Sequence, residues 1–597
     1  MWNHSLAVFA MRDGQLTCPE HKNECGRIPI MPASAALDLT GESGTHPAYS
    51  PWQRYNRQIG IFALFFLSYL AAALLWQWVS GIGQSELSHL PDEAAHVTTS
   101  LMIRDYLAGH FPASPLKYGE MYYMHYPKIG FGMWPPLFHI VAAIWMLLFG
   151  ATRLALLALM AVQCAVLATT LALFTRRFLP GVAAFGAGLL LVSLPLIQVV
   201  TTTVMVDILV ATLELWATLF LIRYFETENK SPAIWFGVTT ALALLTKANA
   251  NALVLAPVLL LLLTRKFYLL RRAPLYIAAA IVLLLGIPWQ LVSMHMLQAT
   301  VPMAKISASF VASTFSLYLH TIYLRLGTAL LAFVAIGIAV EAWPLVLRGT
   351  GDSRRTIGIA GMFSLLAAVF LFHSFVPTPA DERYMTTAMP ALIFFFALGI
   401  GFVAAAIPVP RLPVAARATL LAGTAVMVFA RTTFAIPPRP GLGFSEAARV
   451  VASPSNQFIL VCSDSVGEGA FITSVALTEP RPKRFILRGS KTLSDNAWFL
   501  TEYRPVFDNA ATLQQYLENT VDAVVIDLSS TLWEQDRTLL LQSLQQNPQK
   551  WMLLTTIPQT AQSRNLLVYQ RTGPAPHNRN ISVQMKRTLG RDLVHTP

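Results

Sequence analysis

Pro135-Pro136-Leu137-Phe138-His139-Ile140-Val141-Ala142-Ala143-Ile144-Trp145-Met146-Leu147-Leu148-Phe149-Gly150 decides how this chain is threaded. Its apolar part, 137–149, is bounded by a proline pair and a glycine. That leaves it short of the roughly 20 residues a helix needs to cross a bilayer. Apolar runs of spanning length occur elsewhere, near 59–79, 154–174, 181–200, 208–225, 232–247, 248–264, 274–291, 325–345, 357–375, 384–405 and 418–435. If 137–149 crosses, every segment after it changes sides.

Charge chooses between the two threadings. Arg54 and Arg57 precede the first span, which places the preceding tail in the cytoplasm. The most basic connection, Arg265-Lys266 to Arg271-Arg272, falls on the same side only if 137–149 lies in the interface. Inner connections then hold Arg176, Arg177, Arg223, Lys230, Arg265, Lys266, Arg271, Arg272, Arg348, Arg354, Arg355, Arg411 and Arg417. The short outer ones hold only Lys247, Lys305, Arg325 and Arg383. The expectation is a mainly α, polytopic membrane protein of about 11 transmembrane helices, with interfacial helices in its first outer loop and a C-terminal soluble α/β domain.

Three regions follow. Residues 1–58 form a polar cytoplasmic tail, with five Lys/Arg, five Asp/Glu and a Pro-, Ser- and Gly-rich composition that favours poor order. Residues 59–435 form the transmembrane module, with its first outer loop at about 80–153. Residues 436–597, opened by Pro437-Pro438-Arg439-Pro440, form an outward-facing domain in which short β-rich and helical runs alternate: Gln457–Cys462, Gly469–Leu477, Arg484–Leu487, Ala511–Asn519, Asp522–Asp527, Leu532–Gln545, Trp551–Ile557 and Leu566–Gln570. This threading implies an inner (plasma) membrane location, with the C-terminal domain extracytoplasmic or periplasmic.

Composition agrees. Of 597 residues, 55% are hydrophobic and only 12% charged, against about 25% in soluble domains; the mean hydropathy is +0.52. The net charge of +12 would suggest nucleic acid in a soluble protein, but here it marks cytoplasmic loops, and no nucleic-acid partner is expected. Cys18, Cys25, Cys164 and Cys462 complete no zinc pattern and read as structural or incidental. The polar N-terminus does not read as a cleavable signal.

The first outer loop contains Leu90-Pro91-Asp92-Glu93-Ala94-Ala95-His96. Pro91 suits a helix start, so both acids occupy a first turn, with Asp92 and His96 on one face. Acids there also simply complement the helix dipole; as chemistry, they offer a carboxylate able to take a proton from an acceptor hydroxyl. Asp207 opens the fourth span on the same outer side, where an N-cap is the plainer role. Two carboxylates in one aqueous pocket are also hard-oxygen ligands, so a divalent metal on Asp92 and Asp207, with His96 as a third donor, stays open beside a mechanism that requires no cofactor. Glu214 lies within the same span, where ionisable groups usually face an interior cavity. The outer cations Lys128, Lys247 and Arg383 either snorkel to the headgroups or together hold a phosphate.

These residues resemble a known family. Asp-Glu after the first span, an aromatic Pro-Pro segment before the second, an Asp opening the fourth and Thr246-Lys247 at a later outer hairpin are similar to the GT-C superfamily. Within it the likeness is to the protein O-mannosyltransferase and lipid A aminoarabinose transferase group, glycosyltransferase family 39-like. It runs over about 59–300, with an echo at Arg383-Tyr384 to Pro390, and does not reach the tail domain. The resemblance implies inverting transfer of one sugar from a polyprenyl-phosphate carrier to a protein, lipid or glycan acceptor at the outer face of the bilayer. It implies Asp92 as general base with Glu93 beside it, Asp207 as the second acid and Lys247 near the carrier phosphate. Departures are Ile208 and Ala248 where Pro and Gly are usual, and Trp134 rather than Lys or His before the proline pair. Lys128 or His125 is the substitute for that missing cation.

A polyprenyl phosphate leaves as a stabilised anion, so the reaction needs cations and a base but no nucleotide-binding loop. The Gly467-Glu468-Gly469 stretch lacks the spacing of one and reads as a strand–helix turn. Two other classes compete: a lipid or sugar transporter or flippase, and a catalytically silent membrane scaffold. Against the former, the polar residues cluster at the outer surface and no inverted repeat is visible.

Overall fold

The structure is a computed structural model that describes residues 11–12, 15–16, 51–83, 85–87, 90–130, 132–300, 305–349, 353–409, 412–495, 503–529, 534–559, 565–574, 579–583, 585 and 589–595. Two compact units result, Met1–Tyr49 and Ser50–Pro597. Of the first, a two-residue ladder is described, Met11–Arg12 against Gln15–Leu16. Cys18 and Cys25, and most of the expected cytoplasmic tail, lie outside the described residues.

The second unit begins with α1, Pro51–Val79, followed by α2 (Pro91–Ala108), α3 (Pro115–His125) and α4 (Leu137–Phe149). Proline stands at the first turn of both α2 and α3, where its missing N–H is not needed. Helix α4 has 13 residues, about 20 Å at 1.5 Å each, which is too short to cross.

The remaining helices are α5 (Arg153–Thr175), α6 (Gly181–Ser193), α7 (Pro195–Thr201), α8 (Asp207–Thr227), α9 (Lys230–Leu244), α10 (Leu255–Thr264), α11 (Ala273–Leu285), α12 (Ile287–Thr300), α13 (Ala308–Gly337), α14 (Trp343–Arg348), α15 (Arg354–Phe375), α16 (Met389–Ala406) and α17 (Val414–Thr432). Among the described residues seven helices are long and apolar enough to cross a membrane, and nine if the bent pairs α6–α7 and α11–α12 each count as one span. The chain is thus a multi-pass membrane protein.

The two expected spans left over form the hairpin of α9 and α10, the latter preceded by the 3-10 stretch Ala248–Val254. Both arms are short, yet the hairpin runs the length of α8. Its tip residue Lys247 pairs with Asp207, the first residue of α8, at 2.7 Å. At the far end Lys266, Arg272 and Tyr268 gather around Glu228, just past the end of α8. The 3-10 turns help, since they rise about 2.0 Å per residue.

Helix α13 starts at Ala308, well before the span expected from 325. Its helical backbone breaks at Gly327, with φ +69°, so the expected span begins essentially at the break. Further along, α13 and α16 meet backbone to backbone. A Cβ on Gly337 would lie 2.1 Å from the Phe395 carbonyl, and one on Gly399 2.0 Å from that of Phe333. Small residues permit this approach, which is how helices pack where lipid supplies no hydrophobic drive.

The basic connections collect at one end of the bundle. Arg177 pairs with Glu226 in the last turn of α8, Arg265 donates to the Leu347 carbonyl at 3.1 Å, and Arg355 pairs with Glu341 at 2.8 Å. Asp92, Asp207, Lys247 and Arg383 stand at the opposite end.

After α17 the chain forms α18 (Phe444–Val450), α19 (Ser465–Thr478), α20 (Gly489–Thr492), α21 (Ala510–Thr520) and α22 (Glu534–Gln545), with a five-stranded sheet. Its strands are β1 (Phe458–Cys462), β2 (Phe485–Arg488), β3 (Ala523–Asp527), β4 (Trp551–Pro558) and β5 (Asn565–Arg571), in the order β2-β1-β3-β5-β4. The first three are parallel, β1 pairing with β2 and β3; β5 runs antiparallel to β3 and β4. All five residues of β1 and of β3 are buried, as parallel strands covered on both faces require. Cys462 ends β1, and both it and Cys164 are buried free thiols. The Gly467-Glu468-Gly469 stretch is not a turn. It lies inside α19, which begins one residue after its cap Asp464, whose carboxylate accepts from the Val466 and Gly467 amides.

Candidate active site

Four helix ends converge on one polar cluster. Asp92 sits in the first turn of α2, Asp207 at the start of α8, Lys247 after α9, and Arg383 in the 3-10 turn Glu382–Ala388 that leads into α16. The first and second acids each face a cation. Asp207 Oδ1 accepts from Lys247 Nζ at 2.7 Å, and Arg383 Nη2 lies 3.4 Å from Asp92 Oδ2. Asp207 and Asp92 both act electrostatically on Arg383, so the two pairs form one charge network.

Exposure separates the acids. The Asp92 side chain is 30% exposed, whereas Glu93 and Asp207 are each 2% exposed. Asp207 Oδ2 is buried with no hydrogen-bond partner among the described residues. Glu93 faces another way and accepts from the Val204 amide at 2.9 Å. It anchors the turn before α8 and stands outside the cluster that the resemblance assigned to it.

The sequence reading missed two neighbours. Asp381 receives the Arg383 side chain at 2.9 Å from Nε and 2.6 Å from Nη2, and also caps the 3-10 turn through the Arg383 amide. Burial works to raise the Asp381 pKa, but its bonds and charge pairing with Arg383 outweigh that and leave it below the ordinary value. Tyr384 lies under Lys247, whose Nζ is 5.0 Å from the ring centroid, and stacks on His373 at 5.0 Å. The Asp381-Glu382-Arg383-Tyr384 run carried the signal, because Asp381 precedes a helical turn where a capping residue belongs.

Lys128 is not part of the Lys247–Arg383 pair. Its Nζ donates to the Ser465 carbonyl at the start of α19, 3.0 Å away. Burial pushes its pKa down to about 7 and Arg488 adds to that, against Glu468, Asp92 and Asp464, which favour the charged form. His125 is further removed: it stacks on Phe485 with ring centroids 4.1 Å apart, and its Nδ1 is 3.1 Å from the Arg484 carbonyl.

Asp92, Asp207 and His96 are not gathered into one ligand set. His96 Nδ1 is 3.0 Å from His139 Nε2 and its ring packs on Trp134. Burial holds both imidazoles below their ordinary pKa, His139 at about 4. Among the described residues no group of three His, Cys, Asp or Glu side chains is placed to hold a metal ion. Asp92 and Asp207 each face a cation through one carboxylate oxygen. Glu214, inside α8, is buried, with Oε2 unpartnered among the described residues.

Comparison with known proteins bears on the matched segment and the fold. Residues 134–291 match the dolichyl-phosphate-mannose-protein mannosyltransferase family. No curated protein matches the chain. Among solved structures, ArnT from Cupriavidus metallidurans bound to undecaprenyl phosphate superposes with a TM-score of 0.52 at 15% identity, covering 85% of this chain and 98% of that one. The apo state of ArnT gives 0.53 at 15% identity, covering 84% and 97%. The oligosaccharyltransferase AglB from Archaeoglobus fulgidus scores 0.46 at 14% identity, covering 77% and 69%. In its matched segment and in its fold, the chain resembles the GT-C glycosyltransferases of the protein O-mannosyltransferase and lipid A aminoarabinose transferase group.

Proposed function

We propose that this protein is a membrane glycosyltransferase that moves a single sugar from a polyprenyl-phosphate carrier to an acceptor hydroxyl at the outer face of the bilayer, with inversion. The observation that supports this most is the joined pair of ion pairs, Asp92–Arg383 and Asp207–Lys247, at one end of the bundle. The matched family is named for a lipid-phosphate sugar donor, and ArnT was solved with a polyprenyl phosphate, which favours that carrier class.

The roles follow from charge and exposure. Asp92 is the most exposed of the three acids and is the general base that removes the acceptor proton. Lys247 and Arg383 take up the charge that develops on the departing phosphate, Arg383 through its planar fork and Lys247 as a point charge. Asp207 and Asp381 hold these two cations in place. A single displacement opposite the phosphate inverts the anomeric carbon. Lys128 stands apart from these two cations, with its Nζ on the Ser465 carbonyl.

The same reading places residues 1–58 in the cytoplasm, 59–435 in the inner (plasma) membrane and 436–597 outside it. The test is transfer by the purified protein from a panel of polyprenyl-phosphate sugars. The acceptor is first identified by mass spectrometry of surface glycans and glycoproteins lost in a deletion strain. Asp92→Asn should bind carrier as before and lose about 10²- to 10⁴-fold in kcat. Full turnover by Asp92→Asn would remove Asp92 from its role, and retention of configuration in the product would remove the single displacement.

A further inference from the structure

Asp207 opens α8 with no side-chain cap ahead of it, since the N-cap position is Val206. What fixes Asp207 is the preceding turn, Thr201 to Val206, and that turn is tied from outside its own helices. From α1, Gln77 Nε2 donates to the Thr201 carbonyl at 2.9 Å. From α2, Glu93 accepts from the Val204 amide at 2.9 Å. The third tie comes from the linker that joins α17 to the C-terminal domain. Arg439 Nε and Nη2 donate to Thr202 Oγ1 at 3.0 and 2.5 Å, and Nη2 reaches the Val199 carbonyl at 3.1 Å.

The linker is built to hold that arginine. Pro437, Pro438 and Pro440 restrict the backbone around it. Its own amide donates to the Ser80 carbonyl at 2.9 Å, pinning it to the end of α1. The side chain is 4% exposed. Burial pulls its pKa down to about 10, and Glu93 is the charge that works against this. A buried arginine is unfavourable unless its bonds are well made; here Nε and Nη2 bind Thr202 and the last turn of α7, while Nη1 has no partner among the described residues.

We propose that Arg439 is a positioning residue for the reaction: from the linker it locks the Thr201–Val206 turn, and through that turn it sets Asp207 against Lys247. The inference rests on the functional reading above. It adds that attachment of the C-terminal domain is itself part of building the site.

The experiment compares full-length wild type, Arg439→Met, Arg439→Lys and Thr202→Val in detergent, by steady-state transfer and by hydrogen exchange of the Thr202–Asp207 amides. Misplacing a group by about 1 Å can cost on the order of 10²-fold. Arg439→Met is therefore expected to lose kcat on that scale, with KM for carrier and acceptor nearly unchanged and faster exchange in the turn. Arg439→Lys, which keeps one donor, should recover part of the loss, and Thr202→Val should fall in the same direction as Arg439→Met. Wild-type kcat per folded Arg439→Met molecule, or a loss that merely follows the folded fraction with exchange unchanged, overturns the proposal. If Arg439→Met does not fold, Thr202→Val decides by the same two readouts. A wild type inactive on every carrier would count against the functional reading instead, while exchange at the turn would still report on the lock.

Discussion

At the level of single residues, partners matter more than residue type. Asp92, Glu93 and Asp207 look interchangeable in the sequence. The structure gives the first a cation and solvent, the second a backbone amide, and the third a half-buried lysine. That distinction was not legible beforehand, because it depends on which helix ends meet. The Asp207–Lys247 pair is buried enough that breaking it should be severe. Lys247→Met leaves a carboxylate uncompensated and should cost about 3–5 kcal/mol, whereas Asp207→Asn with Lys247→Met should recover much of that; thermal unfolding in detergent measures both. Lys128 supplies a pH signature. Its folded pKa is about 7, while in the unfolded chain it is about 10.4. Between those values the unfolded chain keeps a proton that the folded one has released, so Lys128 makes stability rise with pH across that window and adds no slope below or above it. Lys128→Met should flatten this rise; a wild-type slope in the variant would show that another group is responsible.

At the level of elements, α2 is held by the C-terminal domain. Helix α19 packs against it closely enough that a Cβ on Gly469 would lie 2.8 Å from Ala94 Cβ and 2.9 Å from Lys128 Cε. Thr473 Oγ1 lies 3.2 Å from the Ala94 carbonyl and 3.1 Å from Thr98 Oγ1. Ala94 is two residues from Asp92, so any displacement of α19 reaches the base. Gly469→Leu should therefore lower kcat while the bundle remains folded, and Gly469→Ala should do so less. Equal, undiminished turnover in both variants would mean that α2 keeps its place without α19. Elements were the most legible scale. The alternation of runs after 436 anticipates β1 to β5 and α19, α21 and α22 within a few residues, since buried parallel strands write themselves as apolar runs. The docking of α19 on α2 was illegible, because Gly469 signals closeness without naming its neighbour. The start of α13 was misjudged for a related reason: hydropathy registers where a helix becomes apolar, not where it begins at the Ser307 cap.

For the whole molecule, charge and bundle geometry bear on the same question of sides. The segments carrying Arg177, Arg265 and Arg355 lie together, and the end carrying Asp92 and Asp207 lies opposite. On the proposed reading, the positive-inside rule puts the basic end in the cytoplasm. Helix α4 decides the sides. If it stays in the interface, Arg271 is inside and the C-terminal domain outside; if it crossed, both would change sides together. Two single-cysteine variants, Arg271→Cys and Ser455→Cys, separate these cases once Cys18, Cys25, Cys164 and Cys462 are replaced by serine or alanine. Both positions are exposed to solvent. With a membrane-impermeant thiol reagent on intact spheroplasts, Ser455→Cys should label at once and Arg271→Cys only after permeabilisation. The opposite pattern at both positions would turn the bundle over in the membrane and carry the cluster of Asp92, Asp207, Lys247 and Arg383 to the other face. It would then have to draw both carrier and acceptor from the wrong face, and the proposed reaction would fail with the threading.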